Sequence, residues 1–120
     1  MNLSMNTALS GLMANSTKLG VSANNVANAQ TPGYKAQEAT LESVAGGGVK
    51  ATVREATDAT NSVYSPESAG ADENGMVTLP NVSLEQEVVN QKTAEIGYTA
   101  NAKVIETAAA MDKSLFDIKV

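Results

Sequence analysis

The sequence predicts a mainly α chain, with one long helix at each end and a short polar segment of extended structure between them. Three observations predict it. Apolar residues recur at alternating four- and three-residue steps from Met5 to Val26. They recur again at helical steps from Val89 to Ile118. The stretch between alternates apolar with polar residues and is broken by glycine and proline.

The first stripe is Met5, Leu9, Leu12, Ser16, Leu19, Ala23 and Val26. This spacing is close to a coiled-coil seam. Its flanks are Asn, Ser, Thr and Gly, and Lys18 is the one charged residue before Tyr34. Gly11 and Gly20 each cost a helix interior about 1 kcal/mol relative to alanine. Such a helix is marginal alone in water, and its small flanks permit close approach by neighbouring helices.

Thr31-Pro32-Gly33-Tyr34 ends the helix near residues 28–30. Pro32 presets φ at the second position of a type II turn, and Gly33 supplies the positive φ of the third.

The middle is looser. Gly46-Gly47-Gly48 reads as a flexible break, and Val49, Ala51 and Val53 alternate with polar residues as in a strand. Val63-Tyr64 is a short extended piece, Asp72-Glu73-Asn74-Gly75 a turn, and Met76-Val77-Thr78-Leu79 a strand ended by Pro80. A small β-hairpin, or a few antiparallel strands, is expected here. Isolated hairpins are marginal, so this region leans on a helix or a neighbour.

Ser83 opens the second helix, with Gln86 three residues on in a capping-box pattern. Glu85 and Glu87 near its start, and Lys113 and Lys119 near its end, have the signs that the helix dipole favours. Val89, Ile96, Ala100, Val104, Ala108, Met111, Leu115 and Ile118 form its stripe, widened by Tyr98, Ala102, Ile105 and Ala109. About 35 residues give a rod of roughly 50 Å, too long for a compact domain of this size. The chain divides at residues 1–34, 35–80 and 81–120 into N-terminal helix and turn, outer extended segment and C-terminal helix.

Composition narrows the function. Aromatics are 3% of the 120 residues and Trp is absent, so a self-contained core is thin and partners complete it. A formal net charge of −5 without a basic cluster argues against nucleic acid. No apolar run is long enough to span a membrane, and the start lacks the basic and apolar regions of a cleaved secretory signal. His and Cys are both absent, which removes the usual base, thiolate and imidazole ligands. Asp72-Glu73-Asn74-Gly75 misses the spacing of a calcium loop, and the glycine run has neither P-loop nor dinucleotide-binding spacing. No catalytic, cofactor-binding or metal-binding residue is nominated. Asn24, Asn25 and Asn28, clustered on a nearly uncharged helix, are expected to hydrogen-bond across packed helices and fix their register.

The run Ala23-Asn24-Asn25-Val26-Ala27-Asn28-Ala29-Gln30-Thr31-Pro32-Gly33-Tyr34-Lys35 resembles the N-terminal motif of bacterial flagellar rod and hook proteins. The C-terminal string Ala71-Asp72-Glu73-Asn74-Gly75-Met76-Val77-Thr78-Leu79-Pro80-Asn81-Val82, with Glu87-Val88-Val89-Asn90 and Tyr98-Thr99-Ala100-Asn101, resembles the proximal-rod class of flagellar basal-body rod proteins. The resemblance implies that the terminal helices pair as an antiparallel coiled coil, with a small extended segment outside. It implies partners: copies of itself, other flagellar rod subunits and the flagellar type III export apparatus. It also implies a place in the periplasmic rod of the basal body, reached without a cleaved signal, with no nucleic acid and no membrane span.

The expected function is therefore that of a non-enzymatic rod subunit that polymerises through its terminal helices into the torque-transmitting shaft. The expected assembly surface is Met5, Leu9, Leu12, Leu19 and Val26, the three asparagines, and Val89, Ile96, Tyr98, Ala100, Val104, Ile105, Met111, Leu115 and Ile118, with Pro32 and Gly33 as the turn. The alternative is an interaction module, a small helical adaptor or export chaperone. A chaperone would carry stable, charged helices, whereas this first helix is nearly uncharged.

Overall fold

The computed structural model describes residues 3–118. Helix α1 spans Leu3–Ala27 and helix α2 spans Leu84–Ile118. Between them lie two antiparallel hairpins, β1 (Gln37–Ser43) with β2 (Val49–Glu55), and β3 (Thr60–Tyr64) with β4 (Met76–Pro80). The protein is thus mainly helical, with two long helices packed on each other and small strand pairs between them. Residue numbers rise along α1 as those they face fall along α2: Gly11 lies against Asn101, Asn15 against Gly97, and Asn25 against Glu87.

The molecule is long and thin, 78 × 24 × 18 Å, with a radius of gyration of 20.5 Å. A compact chain of this length has a radius near 14 Å. Its accessible surface is 8205 Å², against roughly 6100 Å² for a compact protein of this mass. The buried apolar residues are small: Ala8, Ala14, Val21, Ala36, Val77 and Ala94. A core of alanine and valine contributes little at about 25 cal/mol per Å².

The start of α2 is half of a capping box. The Ser83 hydroxyl accepts from the Gln86 amide at 3.3 Å. The Gln86 side chain, however, turns forward to Asn90 rather than back to the cap. Ser83 also donates to the Glu85 carboxylate at 3.1 Å. Hydrogen bonds from backbone and from this hydroxyl hold the Glu85 carboxyl below its ordinary pKa. The last turn of α2 carries no basic residue among the described ones; Lys113 lies further back, and Lys119 lies outside the described residues.

The turn after α1 has its expected form. The Tyr34 amide bonds to Thr31 O at 3.2 Å, and Gly33 has φ 79°. The Gly33 amide also donates to Thr78 O at 3.0 Å, fastening the turn to β4. The two hairpins join where Ala59 O accepts from both Ala36 and Asn81.

The glycine run differs from a flexible break. It forms the five-residue loop 44–48 of the first hairpin, closed by Val44 N to Gly48 O and Gly47 N to Val44 O, both 3.1 Å. Gly46, Gly47 and Gly48 have φ of 96°, 100° and 98°, which side chains resist. The loop tip rests on α1, where the Ser10 hydroxyl accepts from Val49 N at 3.1 Å. The hairpin therefore lies along α1, tied at its far end by Ser10 and at its base by Asn25.

Candidate functional site

The contact between the helices is made of small and polar residues. Ser22 donates to Glu87 O at 3.0 Å. Asn25, 1% exposed, is the centre of the contact. Its amide nitrogen donates to Gln37 O at 2.7 Å and to Glu87 Oε1 at 2.8 Å. Its oxygen accepts from Gln37 N at 2.9 Å and from the Tyr34 hydroxyl at 3.0 Å. One amide thus uses both donors and both lone pairs to join α1, the turn, β1 and α2. Asn90 donates to the other oxygen of Glu87 at 3.3 Å, holding that carboxylate in place.

Of the three clustered asparagines, Asn25 is the one that bonds to the other helix. Asn28 bonds back to Asn24 O in its own helix, and Asn24 is exposed.

Burial, together with the nearby Glu87 charge, raises the Tyr34 pKa above its ordinary value. The neutral phenol is therefore favoured in the fold. The stability it contributes is present below the unfolded pKa of about 10 and is lost as pH rises through the higher folded value. The Tm advantage of the parent chain over Tyr34→Phe is expected to hold at pH 8 and to shrink above pH 10. A constant difference across that range would show that Tyr34 does not donate to Asn25.

The predicted stripe of α1 is turned away from the buried face, Leu9 furthest and Leu12 at its edge. Leu9 sits two residues, about 200°, from the buried Gly11. Leu9, Leu19 and Val26 are exposed, Met5 and Leu12 half-buried, and Met13 adds to the exposed face. On α2, Val89, Ile96, Tyr98, Ala100, Val104, Met111, Leu115 and Ile118 are exposed, and Ile105 is half-buried. Pro32 and Gly33 are exposed at the turn. The residues that meet inside the chain, Gly11, Asn15, Ser22, Glu87, Ala94, Gly97 and Asn101, were not in the apolar stripes. The shared spacing Gly-x-x-x-Asn at Gly11–Asn15 and Gly97–Asn101 is the signal that could have found four of them.

A cleft of about 400 Å³ lies between α1, β1 and the start of α2, lined by Lys18, Asn25, Gln37, Asn81, Glu87 and Asn90 among others. Its polar groups include the members of the Asn25 network, already engaged with each other. Among the described residues no helix is long and apolar enough to cross a membrane.

Two family profiles match the chain. Residues 5–35, which hold most of α1 and the turn, match the flagella basal body rod protein profile. Residues 73–118, from the turn before β4 to the end of α2, match the flagellar basal body rod FlgEFG protein C-terminal profile. The flagellar basal-body rod protein FlgC of Salmonella typhimurium is 37% identical over 114 residues, covering 85% of each chain. This chain belongs to the flagellar basal-body rod protein family. Rod proteins named FlgC from Escherichia coli O157:H7, 36% identical over 85% of each chain, and Agrobacterium fabrum, 33% identical over 91% of this chain and 88% of that one, are further relatives. The family is one of structural rod proteins, not enzymes. In this rod protein the segments matched by the two profiles include both members of the helix pair, and the whole of the first hairpin lies outside both.

Proposed function

We propose that this rod subunit polymerises through the outward faces of its helix pair, with copies of itself and with other rod subunits, into the shaft that carries torque. The observation that carries this reading is an inversion of chemistry. Small residues, among them Gly, Ser, Asn and Ala, join the two helices within the chain, while most of the larger Leu, Ile, Val and Met side chains of the helices face out. Burial of those side chains between subunits offsets the entropy lost on ordering. Repeated head-to-tail contacts that do not close grow into a helical tube.

The helix pair acts as an antiparallel coiled coil forming the inner, axial unit (residues 1–34 and 81–120), with residues 35–80 outside it. Delivery is by the flagellar export apparatus without a cleaved signal, to the periplasmic part of the basal body. A first helix of weak intrinsic propensity suits passage through a narrow channel.

Leu9→Asp and Ile96→Asp test the reading. Both side chains are exposed, at 45% and 62%, so a carboxylate there leaves the single chain folded. An unpaired carboxylate buried between subunits is costly, so rods are expected to be absent from isolated basal bodies and motility lost. Normal motility in both variants would overturn the assignment of these faces.

A further inference from the structure

The two helices share a four-residue pattern whose members meet reciprocally. Gly11 and Asn15 are one set and Gly97 and Asn101 the other. A methyl group on Gly11 would lie 2.7 Å from Asn101 Oδ1, and one on Gly97 would lie 2.6 Å from Asn15 Oδ1. Each asparagine therefore occupies the space that the facing glycine leaves open. Each is also folded back onto its own helix: Asn15 Nδ2 donates to Gly11 O at 2.8 Å, and Asn101 Nδ2 donates to Gly97 O at 2.7 Å. The side chain that would have to move is short and already hydrogen-bonded. Gly20 provides the contrast, since nothing lies within 4 Å of the position a methyl group would take there.

We propose that Gly11, Asn15, Gly97 and Asn101 form a register lock that fixes the axial alignment of α1 on α2. The argument is one of shape. A slip of four residues, about one turn, in one direction would set Asn15 against Asn101, crowding two amides where one fits. The same slip in the other direction would set Gly11 against Gly97, leaving a hole lined by two glycines. Only the observed register places an asparagine over a glycine at both levels. Alanines such as Ala8 and Ala94 have little shape with which to tell one register from the next, and the Ser22 and Asn25 bonds to Glu87 hold the same register at the other end of the pair. The lock thereby sets the phase between the outward stripes of the two helices. It concerns the single chain and stands whether or not those stripes carry assembly.

The test places spin labels through Ala23→Cys and Ala110→Cys, both exposed, in a chain that has no other cysteine. Distances are read by double electron–electron resonance on the purified full chain in an osmolyte that favours the compact state. The parent is expected to give one narrow distance. Gly11→Ala is expected to broaden it or shift it by about 5 Å, one helical turn, and Asn101→Ala in the same chain is expected to restore it. Gly97→Ala with Asn15→Ala should repeat the pattern at the second level, and Gly20→Ala should change nothing. Circular dichroism on each variant separates a slipped pair from an unfolded one. The proposal is overturned if Gly11→Ala and Gly97→Ala leave the distance unchanged. It is equally overturned if neither second substitution restores it, or if the parent itself shows no defined distance.

Discussion

Asn25→Ala is expected to remove cooperative unfolding from the isolated chain. The substitution deletes four hydrogen bonds at once, leaving Gln37 N and O, one oxygen of Glu87 and the Tyr34 hydroxyl without this partner. Each buried group so orphaned costs about 1–3 kcal/mol. Water entering the adjacent cleft recovers part of that, so the net loss is about 2–4 kcal/mol. In a chain whose buried apolar residues are alanine and valine, this is a large fraction of the stability of a small domain. The measurement is a urea titration followed by circular dichroism, with hydrogen exchange at the Gln37 amide as the local probe. Asn25→Asp should be at least as damaging, because it loses both donors and sets a carboxylate against Glu87. A midpoint unchanged in Asn25→Ala would mean that the network is decoration on a fold held elsewhere.

The second large effect is expected at the tip of the first hairpin. Gly48→Val combines two penalties. Its φ of 98° lies beyond the region that non-glycine residues visit as single turns. Its new Cβ would also fall 2.5 Å from the Ser10 hydroxyl, the group that accepts from Val49 N. Gly33→Val carries a positive φ alone, since nothing lies within 4 Å of its Cβ position. Gly48→Val is therefore expected to release the hairpin from α1 and to lower the thermal midpoint by more than Gly33→Val does. Protease cleavage in residues 44–48 gives a direct readout. Equal sensitivity of the two variants would show that the tip is not anchored.

These two expectations also measure what the sequence disclosed. The inner ends of both helices, the last turn of α1 and the first of α2, were legible because local chemistry marks them. Thr31-Pro32-Gly33-Tyr34 can hardly continue a helix, and Ser83 with Gln86 begins one. Strand β4 was legible from Met76 to Pro80 for the same reason. Strand β1 was not, since Gln37-Glu38-Ala39-Thr40-Leu41-Glu42-Ser43 has no clean alternation and is paired through its backbone to a better-marked β2. The glycine run was misread because composition reports permissiveness, while the hairpin closure and the contact with Ser10 depend on a helix far away in sequence.

The larger gap concerns faces. A heptad of Leu, Met and Val looks the same whether it meets a helix of its own chain or lies on the surface. The intrachain contact uses Gly, Ser and Asn, which hydrophobic periodicity does not register. Of the asparagine cluster, position alone could not single out Asn25 from Asn24 and Asn28. That choice depends on which side α2 approaches.

The pairing of the first helix with the last has a kinetic consequence. Contacts such as Gly11 with Asn101 and Asn25 with Glu87 close loops of half to three-quarters of the chain. Loop closure of this span must be completed before any of those contacts contributes. When the chain emerges from its N-terminal end, α1 can meet the first hairpin through Ser10 and Asn25 but not α2 until the other end arrives. The first hairpin, whose strands are close in sequence and which rests on α1, can form during that interval. Closure of the helix pair is thus expected to be the last step in the folding of this chain.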